Sequence, residues 1–247
     1  MKRNIKLLIE YDGTNYIGWQ RQPENQGMSI QGMLENSIAK LTGHRVWLKG
    51  AGRTDSGVHA RGQVANFFTE SKIPVHRIPH ALAGMLPNDI VVRGAWEVPE
   101  GFHARYSALE KTYRYTILLP GYRSAFEWRY AYYCPYQLDV EKMNQAARFL
   151  EGTHDYSSFC AKGSPVKNFI RTISRCCIYQ DDCHLYMEVT ANGFLYNMVR
   201  IIVGTLIEIG RGKWEPFKMI EILEAKDRNK AGPTIGPQGL LLLNIKY

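Results

Sequence analysis

Residues 4–11, NIKLLIEY, alternate apolar and polar side chains, which predicts a half-buried strand. The period then changes. Over 29–42, SIQGMLENSIAKLT, the apolar residues Ile30, Leu34, Ile38 and Leu41 recur at helical spacing, with Ser29 placed as an N-cap and Gly43 just past the end. Strand-like stretches follow at 45–50 and 62–70, on either side of a glycine-rich segment, and a short helix at 75–85 ends before Pro87. Strands are expected at 90–98 and 103–119, the second long and alternating. In the remaining chain a helix is expected at 139–151, capped by Asp139 and closed by Gly152, with Met143, Ala146, Ala147 and Leu150 on one face. Strands at 168–180 and 184–192 precede a helix at 194–210 that turns Val199, Ile202, Val203, Leu206 and Ile209 inward. A shorter helix near 216–225 and a strand at 240–245 complete the pattern. Strands and helices mix without βαβα regularity, so the expected class is α+β with largely antiparallel pairing. No linker-like stretch divides the chain. A weak boundary near residue 105 separates an N-terminal part, 1–105, from a C-terminal part, 106–247, and the two are expected to share a sheet or a large interface.

Composition adds a partner class. Among 247 residues, Lys and Arg number 31 against 23 Asp and Glu, a formal charge of +8, and there are 15 Tyr. A basic chain rich in flat side chains suits a polyanion with bases to stack on, and nucleic acid is the first candidate. Lys2, Arg3, Arg21, Lys49, Arg61, Arg77, Lys162, Lys167 and Arg171 are available for phosphate contacts, with no individual assignment. The opening MKRNIKLLIEYDG is too short in its apolar part for a signal peptide. The run FLYNMVRIIVGTLIEIG carries Asn197, Arg200 and Glu208, which a membrane span would not readily accept. The chain therefore reads as soluble, unexported and cytoplasmic. Its five cysteines are odd in number and show no C-x-x-C, so reduced thiols are expected, and no Cys/His cluster has metal-ligand spacing.

The chemistry concentrates in residues 50–62, GAGRTDSGVHARG, where four glycines surround Arg53, Asp55, His59 and Arg61. Glycine admits left-handed backbone and close approach by a neighbour or ligand. A carboxylate beside arginines stays ionised, and a fixed ionised carboxylate can act as nucleophile, base or cation stabiliser. On the residues alone, an equally good reading is a tight turn with a surface Arg–Asp pair. The segment has neither the Walker phosphate-loop pattern nor G-x-G-x-x-G.

Read with the rest of the chain, the segment Gly52-Arg53-Thr54-Asp55-Ser56-Gly57-Val58-His59-Ala60 resembles the signature G-R-T-D-x-G-V-H-A of the bacterial tRNA pseudouridine synthase A (TruA) family, with Ser56 where alanine is usual. YDGTNYIGWQRQP (11–23), KTYRYTI (111–117), GTHDYSSFC (152–160), NGFLYNMVRIIVGTLIEIGRGKW (192–214) and AGPTIGPQGLLL (231–242) are similar to the family's other stretches, in the same order. The resemblance implies isomerisation of uridine to pseudouridine at positions 38, 39 and 40 of the tRNA anticodon stem-loop, with no cofactor and no metal. It implies Asp55 as the catalytic aspartate and Arg200 as its ion-pair partner. Tyr113 would stack on the target base and Leu195 would line its pocket. Arg53 and His59 are further candidates for substrate contact, although a lone His in such a turn is more often a structural hydrogen-bonder. The resemblance further implies a homodimer, and two α+β halves joined through one largely antiparallel central sheet with the active cleft between them.

Overall fold

The computed structural model describes residues 2–23, 27–119 and 121–247. In chain order the elements are β1 (Arg3–Tyr11), α1 (Ile30–Thr42), β2 (Lys49–Gly50), β3 (His59–Thr69), α2 (Ile78–Ala83) after a 3-10 turn at Val75–Arg77, β4 (Ile90–Val98) and β5 (Glu110–Leu118). They continue with β6 (Tyr132–Tyr133), α3 (Val140–Arg148), β7 (Gly152–Asp155), β8 (Ile170–Asp181), β9 (His184–Ala191), α4 (Met198–Gly210), α5 (Lys218–Ala225) and β10 (Leu240–Lys246). The class is α+β, with mostly antiparallel strand pairs.

The chain divides into two compact units. The first contains residues up to Leu109 together with Leu241–Tyr247, and the second is Glu110–Leu240. The closing strand, placed by the sequence with the C-terminal part, therefore belongs largely to the first unit.

In the first unit the strand order is β4-β1-β3-β10, with β2 also on β3. The pairs are antiparallel except for β3 with β10. The alternation of β1 buries Ile5, Leu7, Ile9 and Tyr11 and leaves Lys6, Leu8 and Glu10 partly exposed. Helix α1 buries Ile30, Leu34 and Ile38, and both its ends follow the sequence reading. The Ser29 side chain accepts from Gly32 N, and Gly43 closes the helix at φ 78°.

The expected strand 103–119 begins only at Glu110. Two buried asparagines explain the difference. Asn66 Oδ1 accepts from Ala104 N, and Asn4 Nδ2 donates to the carbonyls of Pro99 and Phe102. The asparagines also bond to each other at 2.8 Å. This polar pair draws residues 99–104 over the second face of the sheet. Burial of that face is why β3 is nearly solid rather than alternating.

In the second unit the order is β5-β9-β8-β7, all antiparallel, with β6 parallel to β5. Helix α3 packs on β8, where the Asn144 side chain bonds both the N–H and the C=O of Ile178. Asp139 caps α3 through Lys142 N. The helix is shorter than expected because residues 149–151 tighten into i→i+3 hydrogen bonds before β7 begins. Helix α4 starts at Met198 rather than 194, because Asn197 takes the left-handed conformation at φ 59°. No helix among the described residues is long and apolar enough to cross a membrane.

Candidate active site

The glycine-rich segment of the first unit is a rigid loop entering β3. Ala51 N donates to Val64 O at 2.8 Å, and Trp19 N donates to Thr54 O at 3.0 Å. Val58 N donates back to Asp55 O at 3.2 Å, closing a β-turn whose third residue, Gly57, has φ 76°. Asp55 is thus the first residue of a tight turn, half-buried, followed by an exposed Ser56 at the first corner. The Ser56 hydroxyl donates to Tyr16 O at 3.1 Å.

The loop rests on residues 11–19, and two glycines make that contact possible. A Cβ at Gly13 would lie 2.0 Å from Val58 O, and one at Gly18, where φ is 111°, would lie 2.6 Å from Thr54 O. Side chains brace the same contact. The Tyr11 hydroxyl lies 2.7 Å from Thr54 Oγ1, and Gln63 Nε2 donates to Gly52 O at 2.9 Å. Tyr11, Thr54 and Gln63 are all buried. Burial holds the Tyr11 hydroxyl well above its usual range against the opposing hydrogen bonds of Thr54 and Gln63. Tyr16 donates to Asp89 Oδ1 at 2.5 Å. Its pKa is raised by burial first and by Asp89 next.

His59 is 5% exposed. Its Nδ1 lies 3.0 Å from Gly13 N and 3.1 Å from Asp12 Oδ1. A single in-plane position on that nitrogen can accept from the amide or donate to the carboxylate, not both, and either bond ties the loop to residues 12–13. Asp12 Oδ1 also accepts from the backbone and hydroxyl of Thr14. Arg53 is exposed on the loop.

In the second unit, Tyr113 and Tyr115 lie two apart on β5 and so project to one face, both buried at 7% and 0% exposure. The Tyr113 ring meets Phe194 edge-on, with centroids 5.0 Å apart and planes at 85°. The Tyr115 hydroxyl donates to Gly236 O at 2.6 Å. Arg200 Nε donates to the neighbouring Ile235 O at 2.7 Å, and its Nη1 donates to Asn197 Oδ1 at 2.6 Å. Two bonds, from Nε and from Nη1, fix the plane of the guanidinium. Burial holds the Tyr115 pKa well above its usual range, against a smaller opposing pull from the Arg200 charge.

Residues 231–236 reach these positions because they press on α4. A Cβ at Gly204 would lie 2.0 Å from Pro233 O, and Gly232 N donates to Thr205 Oγ1 at 2.9 Å. Leu195 is 5% exposed in the turn that Asn197 ends, where Met198 N donates to Leu195 O.

The structure therefore assembles Asp55, Arg53 and His59 on one loop of the first unit, and Tyr113, Leu195 and Arg200 around β5 and the start of α4 in the second. Sequence reasoning missed Tyr11, Thr54, Gln63, Phe194, Asn197 and Tyr115. Asn197 followed by the apolar period of α4 was the one available signal, as a helix start. Thr54 lies in the glycine-rich segment with no role of its own to read there, and Tyr11, Gln63, Phe194 and Tyr115 read as ordinary strand or core residues.

Comparison with known proteins bears on both groups at once. The family profile described as tRNA pseudouridine synthase matches residues 7–107 and 146–247. A tRNA pseudouridine synthase A of Caldicellulosiruptor saccharolyticus is 49% identical over 246 residues, covering 99% of this chain and 100% of that one. The protein of that name from Caldicellulosiruptor bescii is 50% identical with the same coverage. A tRNA pseudouridine synthase A 2 of Clostridium perfringens is 48% identical over 245 residues, again 99% of this chain and 100% of the relative. With the profile spanning the Asp55 loop and the Arg200 helix alike, and with relatives aligned over their whole lengths, the chain belongs to the tRNA pseudouridine synthase family.

Proposed function

We propose that this chain is an isomerase that converts uridine to pseudouridine in tRNA, at positions 38, 39 and 40 of the anticodon stem-loop, with Asp55 acting on the nucleoside. The reaction breaks the bond from C1′ to N1, turns the uracil and joins its C5 to C1′. The proton lost from C5 is matched by one gained at N1, so the atoms balance without an oxidant or a second substrate. A carboxylate serves this chemistry by attacking the nucleoside or by deprotonating the sugar, and both routes require the ionised form.

The observation that carries the reading is the placement of Asp55. It opens a turn whose backbone is fixed by the Tyr11–Thr54 and Gln63–Gly52 hydrogen bonds and by close glycine contacts, in a chain of this family. A carboxylate held this way loses little freedom on reaching the reacting atom. Arg200, its plane set by Ile235 and Asn197, pairs with Asp55 and holds it ionised. Tyr113 stacks on the target base and Leu195 lines the pocket beside it. Arg53 contacts the RNA backbone, and His59 serves the substrate from beneath the loop. In this reading residues 1–105 supply the aspartate loop and residues 106–247 supply the Tyr and Arg motifs. The protein works as a cytoplasmic homodimer. The target base must leave the stack for its C1′ to be reached, at a cost of a few kcal/mol that is least near a stem–loop junction.

The test is site mapping of pseudouridine in tRNA made without it. The wild-type chain should introduce pseudouridine at positions 38–40. Asp55→Ala and Asp55→Asn should introduce none while still binding tRNA. Release of free uracil, or wild-type protein that leaves every uridine unchanged, would overturn the assignment.

A further inference from the structure

The second face of the first unit's sheet carries a second concentration of chemistry that the Asp55 loop does not use. Strand register places Lys6 beside Asn66 and Trp96, and Lys49 beside Asn66 from the other strand. Lys2 Nζ lies 4.6 Å from the centre of the Phe68 ring, and Lys49 Nζ lies 5.3 Å from the same ring. Lys6 Nζ lies 5.1 Å from Trp96 and 5.8 Å from each of Phe102 and Tyr247. Three ammonium groups thus stand over two sets of rings, Phe68 under two of them and Trp96, Phe102 and Tyr247 under the third, and none of them forms an ion pair among the described residues. Two glutamates on neighbouring strand positions are engaged elsewhere, Glu97 with Arg3 and Glu10 with Arg93.

Rings offset part of the mutual repulsion of the lysines, at about 0.5–1 kcal/mol for an exposed cation–π contact. They do not neutralise the charge. Its field is visible at His103, whose pKa is lowered by burial first and by Lys49 next. Flat surface is exposed beside the charge: Trp96 is 46% exposed and Tyr106 is 78% exposed. Uncompensated cations over part-buried rings, with the exposed rings of Trp96 and Tyr106 on the same unit, match a polyanion that carries stackable bases. A second copy of the chain fits poorly, because a two-fold contact would set this cluster against its own image.

We propose that this lysine–aromatic face is a second contact surface for the tRNA substrate, with Lys2, Lys6 and Lys49 paired to backbone phosphates. The inference rests on the proposed tRNA activity and adds a binding site to it. The face acts in binding, so its removal should raise KM for tRNA and leave kcat at saturation unchanged.

The experiment compares wild type with Lys2→Gln/Lys6→Gln/Lys49→Gln in the full chain, using an unmodified tRNA transcript between about 50 and 200 mM salt. The slope of log K against log salt should become shallower by about 2–3, near one for each lost phosphate contact. The corresponding triple Lys→Arg variant should keep the wild-type slope. If the triple Gln variant folds poorly, Lys2→Gln/Lys49→Gln tests the same point. Both of those residues are exposed, and the expected change is then about 2. An unchanged slope and KM in a folded variant overturns the inference. So does a loss of dimer mass by light scattering with the slope unchanged, which would make the face an interface between copies. Wild-type protein that binds tRNA but makes no pseudouridine overturns the proposed activity instead, and the slope still decides the binding surface.

Discussion

Replacing Gly204 by alanine sets helix propensity against packing. In the middle of α4, propensity alone favours alanine by about 1 kcal/mol. The structure reverses the sign, because the new Cβ would stand 2.0 Å from Pro233 O and 3.1 Å from Pro233 C. A contact that real Cβ atoms essentially never make below 3.0 Å is short by 3.0 − 2.0 = 1.0 Å, and the obstacle is backbone that cannot rotate aside. Overpacking of this kind costs about 1–3 kcal/mol. Moving Pro233 also pulls on Ile235 O and Gly236 O, the acceptors for Arg200 and Tyr115, worth about 1 kcal/mol each. Less the propensity gain, the expected destabilisation is about 2–4 kcal/mol, a fall in Tm of about 5–15 °C for a chain of this size. The control is Gly210→Ala in the same helix, whose Cβ would meet Met143 Sδ at 2.6 Å and Cγ at 2.8 Å. That side chain is flexible and can withdraw, so Tm should change by no more than about 3 °C. Thermal unfolding of the two variants side by side is the assay. Gly204→Ala melting at or above wild type would refute the reasoning.

Asn197 offers a separation of backbone from side chain. Asn197→Gly keeps the left-handed start of α4 but removes the acceptor for Arg200 Nη1. It should therefore melt within a few degrees of wild type while pseudouridine formation falls at least tenfold. Asn197→Ala should lose the same activity and about 1 kcal/mol of stability in addition. Equal activity of Asn197→Gly and wild type would show that the Asn197–Arg200 bond has no part in positioning Arg200. At alkaline pH the buried tyrosines set the stability. Tyr11 and Tyr115 have folded pKa values raised by burial, so their contribution is intact below the unfolded value near 10 and is lost as pH rises above it. Denaturant titrations above pH 10 should show stability falling, and Tyr11→Phe should reduce the slope by about 1.4 kcal/mol per pH unit. At neutral pH the same variant should be about 1–3 kcal/mol less stable, because Thr54 loses its 2.7 Å partner.

The candidate site was partly legible before folding. Asp55 stood out because glycines and opposite charges crowd into thirteen residues, and such crowding is a local property. The braces beneath it left no such trace. A tyrosine and a glutamine in alternating strands look the same whether or not they meet across the sheet, and only the pairing of β1 with β3 brings Tyr11 and Gln63 to the loop. Phe194 reads as core by hydrophobicity, and its edge-on contact with Tyr113 requires β5 and the turn before α4 to meet. Among the basic residues, Arg3 and Arg171 prove to be engaged. Arg3 is held by Glu97 and two carbonyls, and Arg171 donates to the carbonyls of Asn168 and Ile170. Lys2 and Lys49 stand over an aromatic ring instead.

By itself the sequence determined what depends on neighbours a few residues away. Helices α1 and α3 begin at Ser29 and Asp139 as read, because a cap bonds to an amide three positions on. Alternation located β1 for a similarly local reason. Tertiary structure decided what depends on distant partners. Residues 99–104 leave the extended path because Asn4 and Asn66 capture them. Likewise β10 returns to pair with β3, and residues 231–236 lie against Gly204, where only a hydrogen fits. Buried polar groups must find a partner and close-packed backbones must find a gap. Neither requirement can be met, or read, until segments far apart in the chain are side by side.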